Sequence, residues 1–320
     1  MGVVEGDGWE GFGWDGWRDL ALVRDRLERG ADPHVRGSGR PLHQAAVFGS
    51  PEVVAELARR VDDVDAEEEG RTALWSAVLA DRADNARVLA AAGADPWRIV
   101  VADWSPGRLS LAGPTPGLFF VPAGERGLTP AESAAETEAR RLTAALGDLH
   151  DDGMGLAFVA GIDAAQAARR LGAEPYEDPE LDELLEDPSS YDMDESLRIV
   201  GATDVPGGCI ITQPWGYAPS MPGVVRLLSA GTVCYGLYAH PKSGDQGSIT
   251  RDGVIVGRDL HPGGGPDEGD SSAEVLASYL YRHNAIAYSC AYVGLRPADP
   301  RAVTGPPDLW LKLPRHVYED

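Results

Sequence analysis

The first half of the chain repeats a short pattern of apolar and polar positions. In residues 40–54, RPLHQAAVFGSPEVV, the side chains of Leu42, Ala45 and Ala46 have the three- and four-residue spacing of one helix face. Residues 72–86, TALWSAVLADRADNA, repeat this spacing 32 positions later. Because a pair of short helices cannot bury its apolar face alone, the repetition predicts stacked two-helix units with a shared core.

Each copy carries more than helical spacing. The first, RPLHQAAVFGSPEVVAEL, has a turn, a first helix, a glycine turn and a second helix, and Gly-Ala-Asp steps occur at 30–32 and 93–95. These residues resemble the ankyrin repeat, whose first helix reads TPLHxAA, with Arg40 in place of the threonine. The second copy departs further, with Trp75 at the histidine position and Asp81 at the mid-repeat glycine. The resemblance implies an all-α ankyrin solenoid, in which the histidine of the first copy has a structural role.

The array extends in both directions. Residues 19–29 predict a helix that ends at a glycine, and the aromatic residues before it predict a cap over the first core. Residues 127–134, GLTPAESA, predict the first helix of a final repeat, and 136–146 predict its second helix. Residues 98–126 then form an insertion, which we expect to be an ordered loop held by prolines. The sequence therefore predicts a solenoid of three to four repeats over residues 1–150.

Residues 154–320 have the pattern of an α+β domain with a mostly antiparallel sheet. An apolar strand near its start is followed by a helix between an N-cap at Asp163 and a terminating glycine, Gly172. Short strands rich in β-branched and aromatic residues follow, and Asp252-Gly253 predicts a hairpin turn. Meandering strands with a helix at each end are typical of this fold class.

This second half also resembles an uncharacterised domain family of GC-rich bacteria. The resemblance rests on a tryptophan-glycine step after a strand, QPWG at 213–216, and on a hairpin at 252–262. It covers most of residues 154–313 and implies no activity, because none is established for that family.

Charge and composition narrow the class of partner. The 28 Lys and Arg residues against 51 Asp and Glu give a net charge of −23, which disfavours nucleic acids and anionic membranes and favours a basic protein. No apolar run reaches the roughly 18 residues of a membrane-spanning helix, and the acidic, glycine-rich start is unlike a signal peptide. Three dispersed cysteines predict buried thiols rather than disulfides or a zinc site. We expect a cytoplasmic bacterial protein with neither a cofactor nor a metal.

The densest polar stretch lies at 238–265, YAHPKSGDQGSITRDGVIVGRDLHPGGG. Asp259 and His261 alternate on an extended segment and, with His240, have the residue types of a two-histidine, one-carboxylate metal site. Lys242 and its glycine-rich neighbours have the residue types of a phosphate site. Neither spacing matches a strict motif, and polar loop ends explain the same residues. The stretch is the candidate site of an alternative function, an enzyme such as a metal-dependent hydrolase with the solenoid as a targeting arm.

The leading hypothesis is a protein-interaction scaffold. Ankyrin arrays bind partners through their turn tips and the concave face of their first helices. The resemblance places these residues on that surface: Arg36, Gln44, Val47, Phe48, Glu68, Glu69, Arg71, Ser76 and Leu79. An exposed Phe48 among polar neighbours is expected to provide an apolar anchor with a polar rim. The second domain is then a second binding or sensing module. A third interpretation is that the array only extends the second domain structurally.

Overall fold

The chain forms two compact units. The computed structural model describes residues 7–35, 39–147, 149, 153–177, 181, 184, 187, 192–240, 244–267 and 269–319. The first unit comprises Met1–Glu136 and Gly265–Leu280, and the second comprises Thr137–Gly264 and Tyr281–Asp320. The sequence predicts one domain over 154–320, whereas the structure assigns Gly265–Leu280 to the first unit. We call Gly265–Leu280 the return segment.

Short helices dominate the first 150 residues, and the rest of the described chain contains both strands and helices. The first part contains a 3-10 helix (Trp14–Arg18), α1 (Leu20–Glu28), α2 (Pro41–Phe48), α3 (Pro51–Ala58), β1 (Glu67–Glu68), β2 (Arg71–Thr72), α4 (Ala73–Leu79), α5 (Ala83–Ala91), α6 (Pro106–Ser110) and α7 (Pro130–Leu146). The second part contains β3 (Met154–Ala160), α8 (Ala164–Leu171), β4 (Glu174–Pro175), α9 (Met193–Ser196), β5 (Ile199–Val205), β6 (Gly208–Gln213), a 3-10 helix (Ala218–Ser220), α10 (Pro222–Leu228), β7 (Val233–Ala239), β8 (Gln246–Arg251), β9 (Val254–Asp259), α11 (Ser272–Leu280), α12 (Ala285–Val293), α13 (Arg301–Thr304), β10 (Leu309–Lys312) and α14 (Arg315–Glu319).

Helices α2 with α3 and α4 with α5 are two stacked helix pairs. Helix α3 begins where the Ser50 side chain accepts a hydrogen bond from the Val53 amide, and α4 begins where Thr72 accepts one from the Trp75 amide. The apolar stripes predicted for α2 and α4 are buried. Small alanines in these stripes let α2 pack closely against both α3 and α4, so the two pairs share one core as predicted.

His43 on α2 connects the two helix pairs through a hydrogen bond. Since a carbonyl only accepts, His43 Nε2 donates to the Arg71 carbonyl oxygen over 2.9 Å, while Nδ1 lies 3.9 Å from Glu68 Oε2. Burial lowers the pKa of His43, although the Arg71 carbonyl and the Glu68 carboxylate act in the opposite direction. The predicted structural role of this histidine is confirmed.

We expect His43 to make the first unit less stable in mild acid. Because the pKa of His43 is lower in the folded chain, the unfolded chain binds more protons below about pH 6.5. The free energy of unfolding should therefore decrease as the pH falls through this range, and decrease less in His43→Gln, which keeps a donor but does not titrate. Urea unfolding at about pH 7.5 and about pH 5.5 measures the difference. Equal pH dependence in both proteins would contradict the prediction.

An aromatic cluster covers the start of the array, as the sequence predicts. The rings of Trp9, Phe12 and Trp17 are buried, and their centroids lie 5.2, 5.3 and 4.7 Å apart. Trp9 Nε1 also donates a hydrogen bond to the Asp32 carbonyl oxygen over 2.7 Å. The fourth aromatic residue of this region, Trp14, does not belong to the buried cluster, because its side chain is 63% exposed.

The end of the array differs from the prediction. Residues 127–146 do not form the two helices of a final repeat, because α7 is one helix of 17 residues. The helix that packs beside α4 is instead α6, which lies inside the predicted insertion. It begins where Ser105 accepts a hydrogen bond from the Arg108 amide, and Pro106 occupies its first turn, where a helix needs no amide donor. The proline-rich composition that predicts a loop is therefore compatible with a helix start.

The second unit is built on one eight-stranded sheet. Its strand order is β4-β10-β5-β6-β3-β7-β8-β9, and each neighbouring pair is antiparallel. The central strand β3 has Leu156 opposite both Thr212 of β6 and Leu237 of β7. With the helices of this unit, the sheet confirms the predicted α+β class. Strands β4 and β9 form its two edges.

Local signals predicted from the sequence set the bounds of several elements in the second unit. Asp163 caps α8 in a capping box with Gln166, and Gly172 ends the helix in the left-handed conformation with φ of 60°. Asp252 and Gly253 connect β8 to β9 with φ of 46° and 76°. The predicted helix and hairpin are both confirmed.

Helix α12 is absent from the prediction. Asn284 caps it by accepting a hydrogen bond from the Ala287 amide, and Gly294 ends it with φ of 80°. These end signals could have identified the helix from the sequence. Within the described residues, no helix combines the length and apolar character needed to cross a bilayer.

Candidate functional site

The predicted partner surface includes an acidic hairpin between the two helix pairs. Three consecutive glutamates form its first strand and the start of its tip. Glu67 forms an ion pair with Arg98, and Glu68 accepts a hydrogen bond from the Arg40 amide over 3.1 Å. Glu69 is exposed and has φ of 50°. The tip therefore presents a carboxylate to solvent, which is complementary to a basic partner.

Helix α2 contributes three of the predicted surface residues. Gln44 and Val47 are half-buried. Phe48 is half-buried too, because Trp14 packs edge-on against its ring with 4.5 Å between centroids. The exposed aromatic surface that the sequence predicts at Phe48 is therefore provided mostly by Trp14.

The structure describes only one of the next two predicted residues. Arg36 lies outside the described residues. Ser76 on α4 is half-buried, and its hydroxyl donates to the Thr72 carbonyl oxygen over 3.3 Å. This bond is internal to the helix, so Ser76 has at least one partner within the array.

The remaining predicted residues, Arg71 and Leu79, contact the return segment. The Arg71 guanidinium donates a hydrogen bond to the Pro266 carbonyl oxygen. Leu79 packs against Gly265, where an added Cβ would lie 3.3 Å from Leu79 Cδ2. At Arg71 and Leu79, the predicted surface is thus contacted by the chain itself.

Helix α11, which ends the return segment, packs one of its faces into the array core. It adds three side chains to the array core: Val275, Leu276 and Tyr279. Trp104 Nε1 donates to the carbonyl oxygen of Ser272, at the start of α11, over 2.8 Å. An added Cβ at Gly113 would lie 2.1 Å from the Tyr279 hydroxyl, so this glycine gives the tyrosine its space.

Helix α6 explains why the array needs the return segment, although the sequence predicts a loop at its position. Helix α6 has only five residues, and the next 19 residues contain no second helix to pair with it. Its apolar side chains therefore need a cover from elsewhere in the chain. The amphipathic pattern of α11 was readable, but nothing in its local sequence indicates which unit it joins.

The candidate polar site is divided between separate strands. His240 follows β7 and Asp259 ends β9, with β8 between them. Asp259 pairs with Gly247, and Gly247 pairs with Leu237, three residues before His240. With strands about 4.8 Å apart and about 3.3 Å per residue, the two backbones are roughly 14 Å apart. This separation is too large for both side chains to bind one ion, and Lys242 lies outside the described residues.

Asp259 is engaged by other groups. The Tyr235 hydroxyl donates to Asp259 Oδ2 over 2.7 Å, and the His261 amide donates to Oδ1 over 3.0 Å. Burial raises the pKa of Tyr235, and the neighbouring carboxylate raises it further. The His261 side chain is exposed. Asp259 and His261 are therefore joined through the backbone of a turn, and the carboxylate holds a buried tyrosine.

The metal and phosphate alternatives gain no support from this geometry. In the part of the chain that the structure describes, no group of three or more His, Cys, Asp or Glu side chains is placed to hold a metal ion. The glycines after His261 form a tight turn, in which the Gly264 amide donates to the His261 carbonyl oxygen over 2.7 Å. The enzyme hypothesis stays a prediction from the sequence.

The three cysteines are buried thiols. Burial raises the pKa of Cys209 to about 12 and raises the pKa of Cys234 and of Cys290 as well. We expect none of them to react rapidly with dithionitrobenzoate in the native protein, and all three to react once the chain is unfolded. Rapid labelling of any thiol before unfolding would contradict this expectation.

The first unit is a helical repeat array, because its short helices form stacked pairs that are joined through a hairpin. The family model for ankyrin repeats matches residues 18–99 in three copies, so this part of the chain is an ankyrin-repeat array. Ankyrin repeats support a general role in protein–protein interaction. No curated protein matches the chain.

Proposed function

We propose that this protein is an adaptor that binds a basic protein partner through the turn tip and first helices of its ankyrin array. One observation carries the proposal: the part of the predicted surface that the chain does not cover itself combines an acidic tip with an exposed aromatic ring. The tip residue is Glu69, and the ring belongs to Trp14, which packs on Phe48. Gln44 and Val47 on the same helix as Phe48 complete the proposed surface.

The chemistry of this surface supports a partner rich in arginine or lysine. A guanidinium or ammonium group binds favourably over the face of an exposed indole, and tryptophan is the best ring for this contact. The exposed carboxylate at the tip adds an opposite charge for the same partner. The net charge of −23 increases the rate at which a basic protein encounters the array.

The contacts of the return segment restrict the proposed partner site to fewer residues than the sequence analysis gives. Arg71 and Leu79 already contact the chain. A partner that used them would have to displace residues 265–266, whereas the side of α2 and the hairpin tip require no displacement. In this proposal the second unit is a second binding or sensing module.

Charge reversal at the tip tests the proposal. The partner is first captured from the native host on the immobilised full chain, identified by mass spectrometry and purified. Association kinetics are then compared for the wild type, Glu69→Lys and the matched control Glu28→Lys, which makes the same charge change at an exposed position of the outer helix α1.

We expect Glu69→Lys to slow association several-fold at low salt and Glu28→Lys to have a smaller effect, because only the first change is at the proposed site. Equal effects of the two substitutions would show that only the net charge matters and would contradict the proposed site. An acidic or uncharged partner would contradict the proposed partner class.

A further inference from the structure

An apolar patch lies beside the acidic hairpin and consists of Ile99, Phe120 and Val121. On the basis of the proposed adaptor function, we infer that this patch binds an extended segment of the partner, in which an apolar side chain lies close to basic ones. None of the three residues belongs to the surface that the repeat alignment predicts, and two of them lie in the insertion. All three belong to the first unit.

The side chains of the apolar patch face water. Phe120 is 87% exposed, Ile99 is 63% exposed and Val121 is 39% exposed. Exposed apolar side chains that lie together are typical of a surface that binds a partner. Covering them would remove apolar area from water, which favours binding.

The fold holds Phe120 in place before any partner binds. The two preceding residues, Leu118 and Phe119, pack against the array core. The Phe120 carbonyl oxygen accepts a hydrogen bond from Trp97 Nε1 over 3.2 Å, and Trp97 is two positions before Ile99. The backbone of the insertion is thus joined to the segment that contains Ile99. A side chain on a backbone that is already ordered loses less conformational entropy on binding.

Ile99 leads into a second hairpin, which repeats the geometry of the acidic one. An antiparallel bridge joins Val101 to Trp104, and Ala102 at the turn has φ of 49°. Glu69 at the turn of the acidic hairpin has φ of 50°. The two hairpins therefore have equivalent positions in successive units of the array.

Hydrogen bonds hold the two hairpins side by side. Asp65 Oδ2 accepts a hydrogen bond from the Asp95 amide over 3.0 Å, and the Asp65 carbonyl oxygen accepts one from the Arg98 guanidinium over 3.3 Å. Arg98 also forms an ion pair with Glu67. Since Ile99 directly follows Arg98, the apolar patch begins next to the acidic hairpin.

The charge around the apolar patch indicates what kind of segment covers it. Residues 62–70 and 95–104 together contain eight Asp and Glu but only one basic residue, Arg98, which is already paired. A segment that brings positive charge is therefore favoured here. A second copy of the chain, with its net charge of −23, and an anionic membrane are both disfavoured. The segment needs an apolar side chain for the patch and basic side chains for the hairpins.

The stacking of the units sets the spacing of these side chains. Packed helices lie about 10 Å apart, and an extended chain advances about 3.3 Å per residue. A segment that crosses from the tip at Glu69 to the apolar patch therefore spans about three to five residues. We expect this spacing between the apolar residue and a basic residue of the partner segment.

A phage-displayed library of random peptides, selected on the immobilised full chain, tests the recognition directly. Selection on the wild type should enrich peptides that combine an apolar residue with basic residues at this spacing. Selection on the double variant Ile99→Ala and Phe120→Ala should retain the basic residues and lose the preference for the apolar one.

Two results of the selection would overturn the inference: enrichment of basic residues alone on the wild type, or no shared sequence among the selected peptides. The adaptor proposal is decided separately, by the effect of Glu69→Lys on the captured partner. Failure of the apolar patch can therefore be distinguished from failure of the proposed function.

Binding kinetics of the most enriched peptide separate the apolar anchor from the charge. We expect the double variant Ile99→Ala and Phe120→Ala to bind at least about tenfold more weakly, mainly through faster dissociation. Glu69→Lys should mainly slow association. The control Leu22→Ala truncates an exposed apolar residue of α1 and should retain wild-type affinity. Thermal unfolding establishes that each variant is folded, and wild-type affinity in the folded double variant would overturn the inference.

Discussion

Replacing Tyr279 by alanine is expected to lower the free energy of unfolding of the ankyrin array by about 3–5 kcal/mol. The side chain is almost completely buried and belongs to the array core, although it lies 188 residues after Ala91, the end of the last helix pair of the matched repeats. Alanine would leave a cavity beside Val78 and Ser110, which line a small pocket with Tyr279. The Tyr279 hydroxyl occupies the space that a side chain at position 113 would need. Gly113 has no side chain that could fill the cavity after the tyrosine is removed.

Denaturant unfolding followed by tryptophan fluorescence measures this effect. The buried indoles of Trp9, Trp17, Trp75 and Trp104 all belong to the array core. Tyr292→Ala is the matched control, because this tyrosine is partly exposed and lies in the second unit. The array transition should move to lower denaturant in Tyr279→Ala only. A change below about 1 kcal/mol would mean that the return segment is not part of the array core.

Replacing Glu56 by glutamine is expected to lower the free energy of unfolding of the array by about 2 kcal/mol at neutral pH. The Glu56 carboxylate is buried and accepts hydrogen bonds from Arg24 on α1 over 3.0 and 3.1 Å, from Arg59 over 2.7 Å and from Arg60 over 3.2 Å. Glutamine has nearly the same shape but loses the charge that matches three guanidinium groups. The expected loss in the free energy of unfolding is smaller than for a fully buried ion pair, because the three arginine side chains are about half exposed.

The pH dependence of the Glu56 effect gives a second readout. Burial alone would raise the pKa of Glu56, but the hydrogen bonds from the three arginines together lower it. A carboxyl whose pKa is lower in the folded chain contributes stability above its unfolded pKa and loses it as the pH falls through the folded pKa. The difference between wild type and Glu56→Gln should therefore be largest at neutral pH and shrink in acid. Glu28→Gln, an exposed change on α1, should show neither the loss nor the pH dependence.

Local signals in the sequence were sufficient for most individual elements. The 32-residue repetition predicted the helix pairs, and the end signals at Asp163, Gly172 and Asp252-Gly253 predicted α8 and the β8–β9 hairpin. These features depend on residues close together in the chain, where helix spacing, capping and turn geometry act. The final repeat was predicted wrongly, because GLTPAESA has the repeat's residue types but continues into one long helix, α7.

The candidate site was harder to predict than the individual elements. Which of its residues a partner can reach depends on contacts between residues that are far apart in the sequence. Alignment to the repeat indicates which positions a partner usually contacts, but it contains no information that Pro266 binds Arg71 across 195 positions. The exposed ring of Trp14 was also missed as a surface anchor, because its aromatic neighbours are buried in the cap. The separation of His240 and Asp259 follows from the order of the strands in the sheet, which the sequence does not reveal.

Quantitative binding of the captured partner to three purified proteins tests where on the array the partner binds. The wild type is compared with the double variant Trp14→Ala and Val47→Asp, and with the control Leu22→Ala, which truncates an exposed residue on the outer helix α1. Thermal unfolding first establishes that each variant is folded. We expect the double variant to lose at least about tenfold in affinity and the control to retain wild-type affinity. Wild-type affinity in the double variant would contradict the claim that the uncovered side of the ankyrin array holds the partner.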